Sequence, residues 1–135
     1  MATQYSTTIR NNALDGVETT IGTAPKLQLF TGAQPVNCAA ADSGVKVAEM
    51  DLPSDWLAAA SNGAKDKSGT WSTLSALASG VIAHYRIKNS AGSVCHIQGS
   101  VTESGGGGDL IIENNDVNAG QEIIVTAFDL SMGGG

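Results

Sequence analysis

Positive charge is scarce in this chain of 135 residues, and what there is does not gather. Seven Lys and Arg stand against thirteen Asp and Glu, a net charge of −6. The cations are Arg10, Lys26, Lys46, Lys65, Lys67, Arg86 and Lys88, and they form no cluster. Nucleic acid and anionic lipid are bound by gathered cations, so neither is an expected partner. Long apolar runs are missing too: none approaches the ~18 residues that cross a bilayer. The opening MATQYSTTIRNN has neither the basic start nor the apolar run of a secretory signal. Synthesis and retention in a cytosol are therefore expected, with thiols reduced. Cysteine is limited to Cys38 and Cys95, whose spacing demands no bridge. A bond between them requires a fold that brings them together, and both are expected as free thiols, in an assembled particle as well. Aromatics amount to two each of Trp, Tyr and Phe, few for the lining of a sugar-cleaving cleft.

Gly, Ala, Ser and Thr are abundant instead, which suits short strands and turn-rich connections more than helices. The length fits one domain that buries about two-thirds of its unfolded surface, with no need of metal or disulfide staples. Residues 6–21, STTIRNNALDGVETTI, carry the one clear helix signal. Ser6 is a good N-cap, because its hydroxyl can accept from an unpaired amide of the first turn. Ile9, Ala13, Val17 and Ile21 make one apolar stripe with Leu14 beside it, and Gly22 and Pro25 end the run. From Lys26 the period becomes two. KLQLFTG, VKVAEMDLP, TWSTLSALA, VIAHYRIK, SVCHIQGSV, DLIIE and QEIIVTAFDL read as strands. In the second, Val45 and Val47 share one face and Met50 and Leu52 the other, which predicts a β-bulge near Ala48 or Glu49. GAQPVNCAAADSG reads as a long loop, SDWLAAASNGAKDKSG as a loop or one helical turn, NSAG as a hairpin turn and ESGGGG as a flexible connector. The expected architecture is mainly β: a single jelly-roll-like, two-sheet sandwich of seven to eight short strands with one N-terminal amphipathic helix. Residues 1–22 form its arm and helix, 23–132 the sandwich, and 133–135 a tail with little to hold it. No internal repeat is evident.

The candidate chemistry is thin. Cys95 and His96 are neighbours in a strand and point to opposite faces, so they do not make a dyad. Cys95 groups with Ile97, Gly99 and Val101 as a small buried hydrophobe. Hairpin pairing of VIAHYRIK with SVCHIQGSV is expected to set His84 and His96 on one polar face, with Tyr85 and Cys95 on the other. Two histidines are too few for a closed zinc site. ESGGGGDL lacks the Lys and the following helix of a phosphate loop. NNDVNAGQEI has the alternating oxygens of a calcium loop, but Gly120 is one place late and Val125 stands where a bidentate Glu is needed. No G-x-S-x-G occurs. No catalytic residue, metal ligand or cofactor is assigned. Trp56 and Trp71 lie outside the clearest strands, as core fillers or contact residues, and exposed tryptophan favours binding of protein or sugar. The last strand is apolar on both faces, so something covers it on both sides.

With these segments in view, the chain resembles a family of small structural proteins of tailed bacteriophages and prophages, the head decoration or cement proteins of short-tailed phages. YSTTIRNNALDGVETTIG, KLQLFTGAQP, YRIKNSAGSVCHIQGSV and DLIIENNDVNAGQEIIVTAFDLSMGG carry the resemblance, and residues 51–79 match least. It implies a jelly-roll-like sandwich on the outer surface of the capsid, made in the host cytoplasm. There it binds the major capsid protein and clamps neighbouring capsomers, as a homodimer in preference to a trimer, and it is not an enzyme. A carbohydrate- or receptor-binding module of a tail or tail fibre, using loops around the tryptophans, is the alternative. A small hydrolase with an unrecognised carboxylate pair is a third. Contact is expected through Ala2, Thr3, Gln4, Tyr5 and Ile9 of the arm and helix, and through Trp56 and Trp71. The helix is alone in a β chain, so no second helix covers its stripe, and Tyr5 supplies contact area at low entropic cost. The competing reading has the stripe close the protein's own sandwich.

Overall fold

Ser6 caps the helix as its residue type predicts. In the structure, a computed structural model that describes residues 3–135, its hydroxyl accepts from Ile9 N at 3.2 Å and opens α1 (Thr7–Ile21). Gly22, at φ 93°, ends it with its amide on Glu18 O. Nine strands follow among the described residues: β1 (Lys26–Thr31), β2 (Lys46–Asp51), β3 (Ala64–Asp66), β4 (Trp71–Thr73), β5 (Gly80–Lys88), β6 (Cys95–Thr102), β7 (Leu110–Ile112), β8 (Asp116–Val117) and β9 (Ile123–Ser131). All seven segments read as strands contribute one. The two additions, β3 and β8, are two or three residues long, too short for alternation to register.

The strands form one continuous curled sheet in the order β2-β1-β5-β6-β7-β9-β3, with β4 paired to β9 and β8 to β5. All pairs are antiparallel except β6 with β7. The curl brings the inner faces of its two halves together. Leu27, Leu29, Tyr85 and Ile87 from one half meet Trp71, Val125 and Phe128 from the other in a single core. Aromatic contacts cross that core: Tyr85 meets Phe128 edge-on at 5.6 Å, Phe128 meets Trp71 at 5.3 Å, and Trp71 meets Trp56 at 6.0 Å. Five of the six aromatic residues are thus spent inside, Phe30 being the fifth, and Tyr5 alone stays exposed.

The outer face of the β5–β6 hairpin was expected to be polar. It is covered. Residues 32–44 lie across it as a strap, fixed by the polar side chains beneath. His84 Nδ1 donates to Gly32 O (2.8 Å), and Gln98 Nε2 donates to Pro35 O (2.7 Å). Arg86 donates to the carbonyls of Asn37 and Cys38 (3.2 and 3.0 Å) and, with Lys88, ion-pairs with Asp42 (2.6 and 2.8 Å). Strap carbonyls and one carboxylate supply the acceptors that let a histidine and two cations lie buried. The strap returns to β2 at Gly44, whose φ is +75° and where a Cβ collides with Thr31 O.

The β5–β6 hairpin forms, but its register differs from the expected one. His84 pairs with Ser100, Arg86 with Gln98 and Ile87 with Ile97; a bulge then leaves His96 without a partner and sets Cys95 against Lys88. His84 and His96 therefore do not share a face. Cys95 joins the Arg86 and Lys88 side under the strap, while His96 is exposed beside α1. One extra residue inverts the alternation beyond it. The bulge in β2 is real as well and falls at Val47, one residue before the predicted place: Ala48 pairs with Leu29 and Lys46 with Phe30.

Candidate contact surface

Helix α1 meets the rest of the chain along two stripes. Leu14 and Ile21 are buried, and Val17 packs against the core. A polar stripe, Asn11, Asp15 and Glu18, grips the segment before and within β3. Asn11 accepts from Gly63 N, Asp15 from Ala60 N and Glu18 from Leu57 N. Lys65, fully buried, donates to Asp15 (2.7 Å) and Glu18 (2.9 Å). The hydrogen bond from Lys65, then that from Ala60, holds the Asp15 carboxyl below the usual carboxylate range. Burial lowers the Lys65 pKa, but the two carboxylates outweigh it and the net shift is upward. These carboxylates line a cavity of about 770 Å³ with Asp55 and Lys65, and the geometry makes Asp15 and Glu18 a clamp on a buried cation.

Because the helix is fastened by its second half and its polar stripe, the first turns of the apolar stripe are left over. Ile9 is 52% exposed, and Ala13 is exposed. Thr3, Gln4 and Tyr5 are exposed ahead of it; Ala2 lies outside the described residues. The arm is joined to the tail: Tyr5 N donates to Gly134 O (2.6 Å), and Met132 N donates to Gly63 O. The tail expected to have little to hold it is therefore held. Arm, helix start and tail make one surface, with Tyr5 and Ile9 as its apolar members.

Trp56 and Trp71 do not belong to it. Both are wholly buried, with Trp56 Nε1 donating to Gly22 O (3.0 Å) and Trp71 Nε1 to Ser68 O (3.1 Å). Their reading as contact residues is corrected: the folded chain presents neither indole to a partner, and they are core fillers with satisfied N–H groups.

A second group of exposed apolar side chains was not anticipated. Leu74 is 80% exposed and Leu77 59%, and Val45 and Val81 are about half exposed. Three of the four come together around Thr31 and Val47. Thr31 N donates to Val45 O, Leu77 N to Val47 O, and Gly80, just before Val81, sits against the side chains of Thr31 and Val47. Single exposed aliphatics are ordinary; these three are gathered in a rim. TWSTLSALA hid this rim by alternating like a strand, whereas pairing stops at Thr73 and leaves the two leucines in an irregular segment.

Elsewhere, Glu103, Glu113 and Glu122 line a polar cavity of about 570 Å³. Among the described residues, no group of three or more His, Cys, Asp or Glu is placed to hold a metal ion, and no helix is long and apolar enough to cross a membrane. Comparison with protein-family models, with curated proteins and with solved structures finds no match.

Proposed function

We propose that this chain is a virion structural protein, a jelly-roll-like cement that binds the outside of a phage head and bridges neighbouring capsomers. The observation that supports the reading is two groups of exposed apolar side chains built from different segments. One is the arm with Tyr5 and Ile9; the other is the rim of Val45, Leu77 and Val81, with Leu74 exposed three residues before Leu77. A bridging protein needs two places to hold. Each of these leucines gains on the order of 1.5–3 kcal/mol when fully covered, so one copy binds modestly and many copies add up to a large stabilisation of the shell. The rolled β scaffold gives those surfaces a rigid mount. The partner is the major capsid protein, with self-association as a homodimer through one of the two surfaces. The protein acts by contact, not catalysis, after synthesis in the host cytoplasm.

The reading is tested by sedimenting the purified protein with heads that lack it. Wild type is expected to pellet with the heads, and a Leu74→Asp, Leu77→Asp double variant to stay in the supernatant while keeping the wild-type thermal midpoint. Wild-type protein that pellets with tails and not with heads moves the protein to the tail and overturns the reading.

A further inference from the structure

The two cysteines, 57 positions apart in sequence, meet under the strap. Cys38 lies on the strap itself and Cys95 at the start of β6. Both line one cavity of about 290 Å³ with Asp42, Arg86, Lys88 and Ser93. Both are free and partly buried. Cys38 is not loosely placed: Arg86, wholly buried beneath it, donates to its carbonyl oxygen at 3.0 Å and to that of Asn37 at 3.2 Å. Asp42, four residues on, is fixed by the same guanidinium and by Lys88. On the other side, the β6 bulge turns Cys95 toward Lys88 and into the cavity. Without that bulge Cys95 faces away from the strap.

We propose that Cys38 and Cys95 are a redox fastener: in an oxidising medium they form an intramolecular disulfide that locks residues 32–44 onto the β5–β6 hairpin. The oxidant is a small-molecule disulfide such as oxidised glutathione. The Cys38 thiolate attacks one of its sulfurs, breaking the sulfur–sulfur bond, joining one half to Cys38 and releasing the other as a thiol. Cys95, after losing its proton to solvent, attacks the Cys38 sulfur; the protein disulfide forms and the second glutathione leaves as a thiol. The protein gives up two electrons and two protons, and the oxidant takes them. The order follows from the surroundings. Burial and the neighbouring Cys38 thiol push the Cys95 thiol up to about 11 against the opposing pull of Arg86, so Cys95 attacks second. The chemistry does not rest on the capsid reading. Its timing does: a particle built in a reducing cytosol keeps the strap unfastened until release. The structure has both thiols free, as expected; the disulfide belongs to the oxidised form alone.

The test uses the full-length protein, reduced and then incubated with oxidised glutathione. Accessible thiols are expected to fall from two to none, with a monomer mass lower by two hydrogens and a cross-linked peptide pair containing Cys38 and Cys95. Backbone amides of residues 33–44 should exchange more slowly, and the thermal midpoint should rise by roughly 5–15 °C. The Cys95→Ser protein should instead carry a persistent glutathione adduct on Cys38, the Cys38→Ser protein should react little, and neither should show such a rise. Stable adducts on wild type without closure overturn the proposal. So does a disulfide between two chains, or a closed bridge that leaves both exchange and midpoint unchanged.

Discussion

Truncating Trp56 to alanine empties a wholly buried site against Trp71 and strands the Gly22 carbonyl that the indole caps. Large aromatic truncations of this kind cost about 3–5 kcal/mol. Urea unfolding of Trp56→Ala, followed by the fluorescence of Trp71, should show a loss in that range. The folded fraction should bind heads as wild type does; a stable variant that has lost binding returns Trp56 to the surface. Asp42, like Asp15, contributes to acid behaviour. Burial raises its carboxyl, but hydrogen bonds from Lys88 and Arg86 outweigh that and hold it below the ordinary 3.8. The unfolded chain therefore takes up this proton first as pH falls, and the stabilisation is present above pH 3.8 and lost below it, as the folded value is crossed. Thermal midpoints measured down a pH series should fall steeply in that acid range. In Asp42→Asn the midpoint should already be lower at neutral pH, since two buried cations lose their partner, and its acid slope should be shallower. Equal slopes in the two proteins would count against the role given to Asp42. None of this was visible at residue level in the sequence, because Asp42 stands in a loop with no local sign that it reaches strand cations 44 and 46 positions away.

Helix α1 shows how much of an element a one-chain pattern reveals. Its span, its cap and its stop were legible because they depend on neighbours in sequence: Ser6, the apolar stripe and Gly22. Its attachment was not, because it depends on Asn11, Asp15 and Glu18 meeting residues near β3. The same division holds for β5 and β6. Both strands and their pairing were readable, whereas the bulge that turns Cys95 under the strap lies in a register that alternation alone cannot fix. At this scale the arm gives a clear expectation. Among the described residues of the arm, Tyr5 meets the tail, its amide donating to Gly134 O beside its ring. Deleting residues 2–5 should move the thermal midpoint by no more than about 2 °C, yet weaken head binding, read by co-sedimentation. A drop of many degrees with binding intact makes the arm an internal brace and removes one of the two contact surfaces.

For the whole molecule, the composition that excluded so much also fixed the outcome broadly. A chain poor in cations and aromatics and rich in small residues became a mainly β body, and Tyr85 and Phe128 meet between the two halves of its curled sheet. What stayed illegible is where that body leaves apolar surface uncovered. Leu74 and Leu77 follow β4 in an irregular segment, and Val45 and Val81 come beside Leu77 only once β1, β2 and β5 are assembled. The central claim is that this rim is a holding surface for the capsid. The most direct measurement is the amount of protein bound per head after co-sedimentation, with wild type and the Leu74→Asp, Leu77→Asp variant compared at equal concentration. The account predicts saturable binding of wild type and at least a tenfold weaker variant, a difference of about 1.4 kcal/mol or more. Equal binding of the two folded proteins, or no binding of wild type to heads at all, would contradict it.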